Sequence, residues 1–163
     1  FAIVTLRLQQ QRRRRVPDAT LSFFRLGMLA LAAAALLSLA ALFFPAAGAS
    51  LRTLSALVFL AGFAMSVING MLYKIVPFLV WLHLQGGGGR GRLTNMKEIM
   101  PDERARRQWW LHCAGLCLLL GAVWRPAWFA HAGALAFGLS CLLLWLNLLA
   151  AYRMYRRLIA TGP

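Results

Sequence analysis

Four long stretches of this chain carry almost no charge, and the short blocks between them carry nearly all of it. That alternation limits the folds open to the chain more than any motif does. Residues 20–44 hold one charge, Arg25, near their start, and residues 53–73, 108–124 and 128–152 hold none. A helix needs roughly 20 residues to cross roughly 30 Å of hydrocarbon. The third run is short for this, but its helix extends backwards through a charged lead-in. With 61% hydrophobic and 13% charged residues, the chain is too apolar for an ordinary soluble domain. The expected fold is all-α: an integral membrane four-helix transmembrane bundle.

The charge is lopsided as well as clustered, with 18 Lys and Arg against 4 Asp and Glu. A nucleic-acid binder interleaves basic residues with a foldable core. Confinement to blocks between apolar runs is the membrane pattern instead, so no nucleic-acid partner is expected. Lys and Arg favour the cytoplasmic side. With both termini cytoplasmic, 16 basic residues fall inside and only Arg52 and Arg125 outside. The expected location is the bacterial inner (cytoplasmic) membrane, multi-pass, with the lipid bilayer as solvent, anionic lipid as a candidate ligand of the basic loops, and other membrane subunits as partners.

The blocks divide the chain into a basic cytoplasmic segment (1–19), a first hairpin (20–85), a Gly-rich basic loop (86–107), a second hairpin (108–152) and a basic tail (153–163). The opening "FAIVTLRLQQQRRRR" reads like the end of an earlier apolar helix, so the chain is expected to be the C-terminal part of a longer multi-pass protein; a processed or partial N-terminus accounts for it equally. Pro17-Asp18 and Pro101-Asp102-Glu103 stand where helices should begin. Trp109, Trp110, Trp124 and Trp128 mark interfacial belts. Each hairpin opens with Pro-Asp, an aromatic pair and a Gly (Gly27, Gly115), a weak repeat that chance also explains.

The stretch "NGMLYKIVPFLVWLHLQ" (69–85) is apolar yet contains Asn69, Lys74, Pro77 and His83. Proline removes a helix donor and clashes one turn back. A straight helix over 53–85 would be about 50 Å long. The reading is a membrane exit, with Lys74 snorkelling at the boundary, then a kink at Pro77 and an interfacial foot carrying Trp81 and His83.

Small residues recur every four positions at Gly62, Ser66 and Gly70, and again at Ala130, Ala134 and Gly138, the spacing that lets helices approach closely in lipid. At 1.5 Å per residue, Asn69, His112 and Asn147 come to similar depths near the cytoplasmic side. Polar groups in lipid face inward and pair, so the three are expected to form one polar layer, either as structural glue or as part of a cofactor or proton site.

A bis-histidine haem b needs two histidines on different helices at one depth, and His83 with His112 is the pair that fits. Cys113, Cys117 and Cys141 make neither a zinc spacing nor a disulfide framework, so no metal site is expected. No acidic residue lies within any span, which weakens a proton-coupled transporter. No phosphate loop or nucleophile motif appears, and no catalytic residue is assigned.

Residues 69–85, with "MKEIMPDERARRQWWLHCAGL" after them, resemble a region of poorly characterised bacterial inner-membrane proteins. These are loosely similar to subunit I of the cbb3-type haem-copper oxidases and to the nitric-oxide-response haem membrane proteins. The likeness covers 69–115. It implies a related helical scaffold, with a haem and a respiratory or denitrification setting as further expectations. Those oxidases hold copper with a histidine cluster that includes an adjacent pair, and this chain has three isolated histidines, so no binuclear centre carries over. The expected function is a non-catalytic subunit or accessory protein of a respiratory-type membrane assembly. The alternatives are a transporter fragment using Asn69 and Lys74, or a purely structural subunit.

Overall fold

The computed structural model describes residues 19–86 and 96–160. The basic segment before Ala19, with Arg7 and Arg12 to Arg15, and the loop residues Arg90 and Arg92 lie outside the described residues. The described residues are helical, with no strand among them. The elements are α1 (Ala19–Phe43), a 3-10 turn (Pro45–Ala47), α2 (Gly48–Leu57), a π-helical stretch (Val58–Ala64), α3 (Met65–Gly86), α4 (Met96–Ile99), α5 (Asp102–Ala122) and α6 (Pro126–Ala160).

Local chemistry sets these boundaries. α1 is rich in Ala and Leu, the strongest helix formers, and stops where Pro45 cannot continue it. α5 begins directly after Pro101, with Asp102 and Glu103 in its first turn, where carboxylates suit the positive end of the helix dipole. α6 starts on Pro126, whose fixed φ suits a first helical position.

Among the described residues, three helices are long and apolar enough to cross a membrane: Ala19–Phe43, Pro45–Gln85 and Pro126–Ala160. The remaining expected span, residues 108–124, is helical in α5 as far as Ala122 but is not one of these, because its 21-residue helix spends its first turns on Asp102, Glu103, Arg104, Arg106 and Arg107. α1 packs on α2, the π-helical stretch and α3, while α5 packs on α6; the two pairs meet where α3 touches α6 and α1 touches α5.

The helix does not end near Pro77. α3 runs through that proline to Gly86, and its last turns lie along the end of α6, where the His83 and Tyr155 rings are 6.2 Å apart. Val80, Trp81 and Met154 pack on an apolar cluster that includes Tyr73 of α3 with Leu144 and Ala151 of α6. These contacts hold the helix beyond the donor that Pro77 removes; proline is tolerated where neighbours restabilise the backbone. The expected foot is therefore a continuation of the helix. At 1.5 Å per residue the 41-residue Pro45–Gln85 rod is about 61 Å long and α6 about 52 Å, so both outreach a bilayer core of roughly 30 Å.

The most deeply buried large side chains are mainly polar, set among an apolar core of residues such as Met28, Val58, Leu116 and Leu144, while large apolar side chains cover the exterior. Of the six largest fully buried side chains, five are polar (His112, Gln108, Asn69, Ser66 and Ser140) and the sixth is Phe23; Leu36, Leu42, Leu60, Trp128, Leu135 and Trp145 are exposed. Water would reverse that arrangement and hydrocarbon favours it.

Small residues set the approach distances. A Cβ at Gly62 would lie 2.9 Å from Ala30 Cβ, and one at Gly70 3.2 Å from Phe23 Cβ, so both expected positions pack against α1. The α6 stripe is displaced from the expected one. Ala134 is exposed and a Cβ at Gly138 would touch nothing within 4 Å, whereas one at Gly133 would sit 2.9 Å from Leu119 N. Two small-residue registers run side by side on α6, and α5 packs on the one that contains Gly133 because its backbone can come closest there.

Candidate functional site

The buried polar side chains lie on facing surfaces of α3, α5 and α6 and form one continuous seam. Ser66, Asn69 and Tyr73 are spaced i, i+3 and i+7 on α3, which places them on one face. The π-helical stretch ends just before this face, and its wider turns set the phase in which α3 leaves. Gln108 and His112 are one turn apart on α5, and Ser140 and Asn147 two turns apart on α6.

The pairings run between helices. Ser66 Oγ and His112 Nε2 are 2.9 Å apart, with the tautomer deciding which donates. Gln108 Nε2 donates to Ser140 Oγ at 2.9 Å. Asn147 Nδ2 donates to Tyr73 Oη at 2.8 Å. Phe23 of α1 closes the fourth side, its ring 6.0 Å from Tyr73 and 5.8 Å from His112. Phe137 covers the other side of the imidazole at 5.2 Å.

Asn69, His112 and Asn147 thus all face the interior, but they do not bond one another: His112 pairs with Ser66 and Asn147 with Tyr73, and Asn69 lies between those two levels on α3. Ser66, expected as a packing residue, is the hydrogen-bond partner of His112. Tyr73, Gln108 and Ser140 belong to the seam and were not among the expected residues; their helical spacing from Asn69, His112 and Asn147 is the signal that marks them. Lys74 is exposed, pointing away from the seam that its neighbour Tyr73 enters.

Part of the seam's hydrogen-bonding capacity is unused. Asn69 Oδ1, Gln108 Oε1, His112 Nδ1 and Trp109 Nε1 are buried without a partner. The Ala61 carbonyl of the π-helical stretch lies near the imidazole without completing a hydrogen bond to Nδ1. A buried polar group left without a partner costs roughly 1–3 kcal/mol relative to a satisfied one.

The residues do not fit the expected haem. His112 hydrogen-bonds Ser66, and His83 lies 17 residues beyond Ser66 on α3, about 25 Å along the helix. His83 Nδ1 donates to Leu79 O at 2.9 Å, and its ring is exposed. Two nitrogens that far apart cannot share one iron, and His112 is enclosed by Phe23, Phe137 and Ser66. The sequence placed the two histidines at one depth because it ended the helix at Pro77. Cys113, Cys117 and Cys141 are free thiols, and no group of three metal-ligating side chains occurs among the described residues.

Comparison of the chain with models of protein families, with curated proteins and with solved structures gives no match.

Proposed function

We propose that this chain is a non-catalytic integral membrane subunit or accessory protein of a larger multi-pass assembly in a bacterial inner membrane. In this reading it is a four-helix transmembrane bundle with both termini cytoplasmic, and α5 is its fourth span. The observation that carries the proposal is where polar and apolar groups lie: Ser66, Asn69, Gln108, His112 and Ser140 are fully buried while large apolar side chains cover the outside.

The orientation rests on the basic residues. α1 and α3 carry Arg25 and Lys74 towards the end of the molecule where α5 begins with Arg104, Arg106 and Arg107, and where α6 ends with Arg153, Arg156 and Arg157. The opposite turns hold Arg52 and Arg125 alone. The seam residues are spent largely on one another across three helices, as expected of groups that fix the register of a bundle. The respiratory setting rests on the resemblance of residues 69–115. The transporter alternative loses one of its two residues, since Lys74 faces outward. The haem element loses its ligand pair.

Reporter fusions test the topology. Alkaline phosphatase should be active after Pro45 and after Arg125, and a fluorescent protein should fold after Ala160; phosphatase activity at the last site would overturn the orientation. Blue-native electrophoresis of gently solubilised membranes tests the assembly. Co-migration with other integral membrane proteins is expected, and a lone monomer would exclude the subunit role.

A further inference from the structure

At the end of the molecule away from Arg104, Arg106 and Arg107, α1, α2 and the start of the π-helical stretch line an open groove of about 620 Å³, within the range of ligand-binding clefts. Its walls are Leu31, Ala34, Ala35 and Leu42 of α1 with Ala56 and Phe59 of the opposing wall, and Arg52 stands at its mouth. The two serines in the groove are already satisfied. Ser55 Oγ donates to Ala34 O at 2.9 Å, which uses its proton, so Ser38 Oγ donates to Ser55 Oγ at 2.6 Å. The remaining wall is hydrocarbon and small side chains.

Length and charge together specify an occupant. From Leu31 to Leu42 the groove runs along α1 for about 16 Å, close to one leaflet of a core roughly 30 Å thick. The Arg52 guanidinium folds back over Gly48, with Nη1 3.4 Å from where a Cβ would stand, at the turn between the helices. Among the described residues the acidic ones, Glu98, Asp102 and Glu103, lie at or before the start of α5, at the opposite end of the helices, so none of them is a carboxylate at the end that holds Arg52. A planar guanidinium matches phosphate bidentately.

We infer that this groove is a binding site for one anionic phospholipid of the leaflet at the Pro45 end, its acyl chain between α1 and α2 and its phosphate on Arg52. The site is distinct from any attraction of anionic lipid to the basic loops, which lie at the other end. It rests on the membrane reading above.

Native mass spectrometry of the full chain released from phosphatidylcholine nanodiscs containing phosphatidylglycerol tests it. The wild type should retain one phosphatidylglycerol. Arg52→Gln should reduce that retention about tenfold, the effect of losing one charge-assisted contact, and Arg52→Lys should restore part of it. Ala35→Trp, which fills the groove from an exposed position, should reduce retention with Arg52 intact. Arg125→Gln, at the other turn on the same side, should change nothing. Equal retention in Arg52→Gln, or equal loss in Arg125→Gln, overturns the site while leaving the membrane reading intact. A chain that does not enter nanodiscs at all overturns the membrane reading and the site with it.

Discussion

The two helical pairs are held together differently. Between α5 and α6 the contact is backbone on backbone: a Cβ at Gly115 would lie 2.8 Å from Phe137 N and 2.9 Å from its Cα, and one at Gly133 3.1 Å from Leu118 C. Between α1 and the Pro45–Gln85 rod the contact is through side chains, with Gly27 meeting Val67 Cγ2 and Gly62 meeting Ala30 Cβ, both at 2.9 Å. The second pair shuts along its length and adds the Gln108–Ser140 bond. The first packs closely at Gly27, Gly62 and Gly70; further towards Phe43, Ser38 and Ser55 make the cross-link beside the open groove. Both pairs use small residues every few positions, but only one uses them to bring main chains together. Spacing alone therefore does not report how close two helices come.

The largest effects should separate these two kinds of contact. Gly115→Ala should cost about 3 kcal/mol, since overpacking that only a backbone shift can relieve lies at the upper end of its range. Gly27→Ala should cost about 1 kcal/mol or less, because the obstructing atom is a side-chain methyl and alanine favours the helix. Unfolding in mixed micelles monitored by tryptophan fluorescence measures both. Equal losses would mean that the two interfaces are equivalent and the distinction is wrong.

Next in size is the seam that joins the pairs. Ser66→Ala leaves His112 Nε2 without its partner, at a cost of about 1.5 kcal/mol. Because the two side chains are in contact, Ser66→Ala and His112→Phe should be non-additive in a double-mutant cycle. Additive losses would show that they do not interact, and that Ser66 serves as a small packing residue as its spacing first suggested.

That residue shows where the sequence was readable and where it was not. The apolar runs, the helix start at Pro101, and the tight positions Gly62 and Gly70 emerge from hydropathy and local stereochemistry, which one chain segment carries by itself. The seam does not, because it depends on which faces meet. Asn69, His112 and Asn147 were recognisable as polar residues facing inward, but assigning them one depth made them partners. The fold instead pairs His112 with Ser66 and Asn147 with Tyr73, and adds a separate Gln108–Ser140 bond. Tyr73 was hidden beside Lys74 at a supposed boundary, and Gln108 in the charged lead-in of α5. The His83–His112 pairing failed for a related reason: the course of the chain beyond Pro77 is decided by contacts with Tyr155 and Met154 on α6, not by the proline alone.

A smaller effect probes the open end of the first pair. Ser55→Ala removes the bond to Ala34 O and the acceptor of Ser38, yet the Ala34 carbonyl keeps its place in a helix and Ser38 is part-exposed. The loss should be about 0.7 kcal/mol, near the average for hydrogen bonds inside membrane proteins. Within the same unfolding series, a loss as large as that of Ser66→Ala would show that the groove end is as tightly sealed as the seam.

The smallest effect should carry the opposite sign. Gly138 belongs to the expected α6 stripe, yet a Cβ there would meet nothing within 4 Å. Gly133, five residues earlier, would press on Leu119 N at 2.9 Å. Glycine within a helix costs roughly 0.5–1 kcal/mol relative to alanine, so Gly138→Ala should stabilise the isolated chain by about 0.5 kcal/mol, whereas Gly133→Ala should destabilise it. If the native assembly buries the Gly138 face against another subunit, the gain seen with the isolated chain should turn into weaker association on blue-native gels. A gain in both settings would place that face against lipid, and the partner surface would then have to lie elsewhere on the bundle.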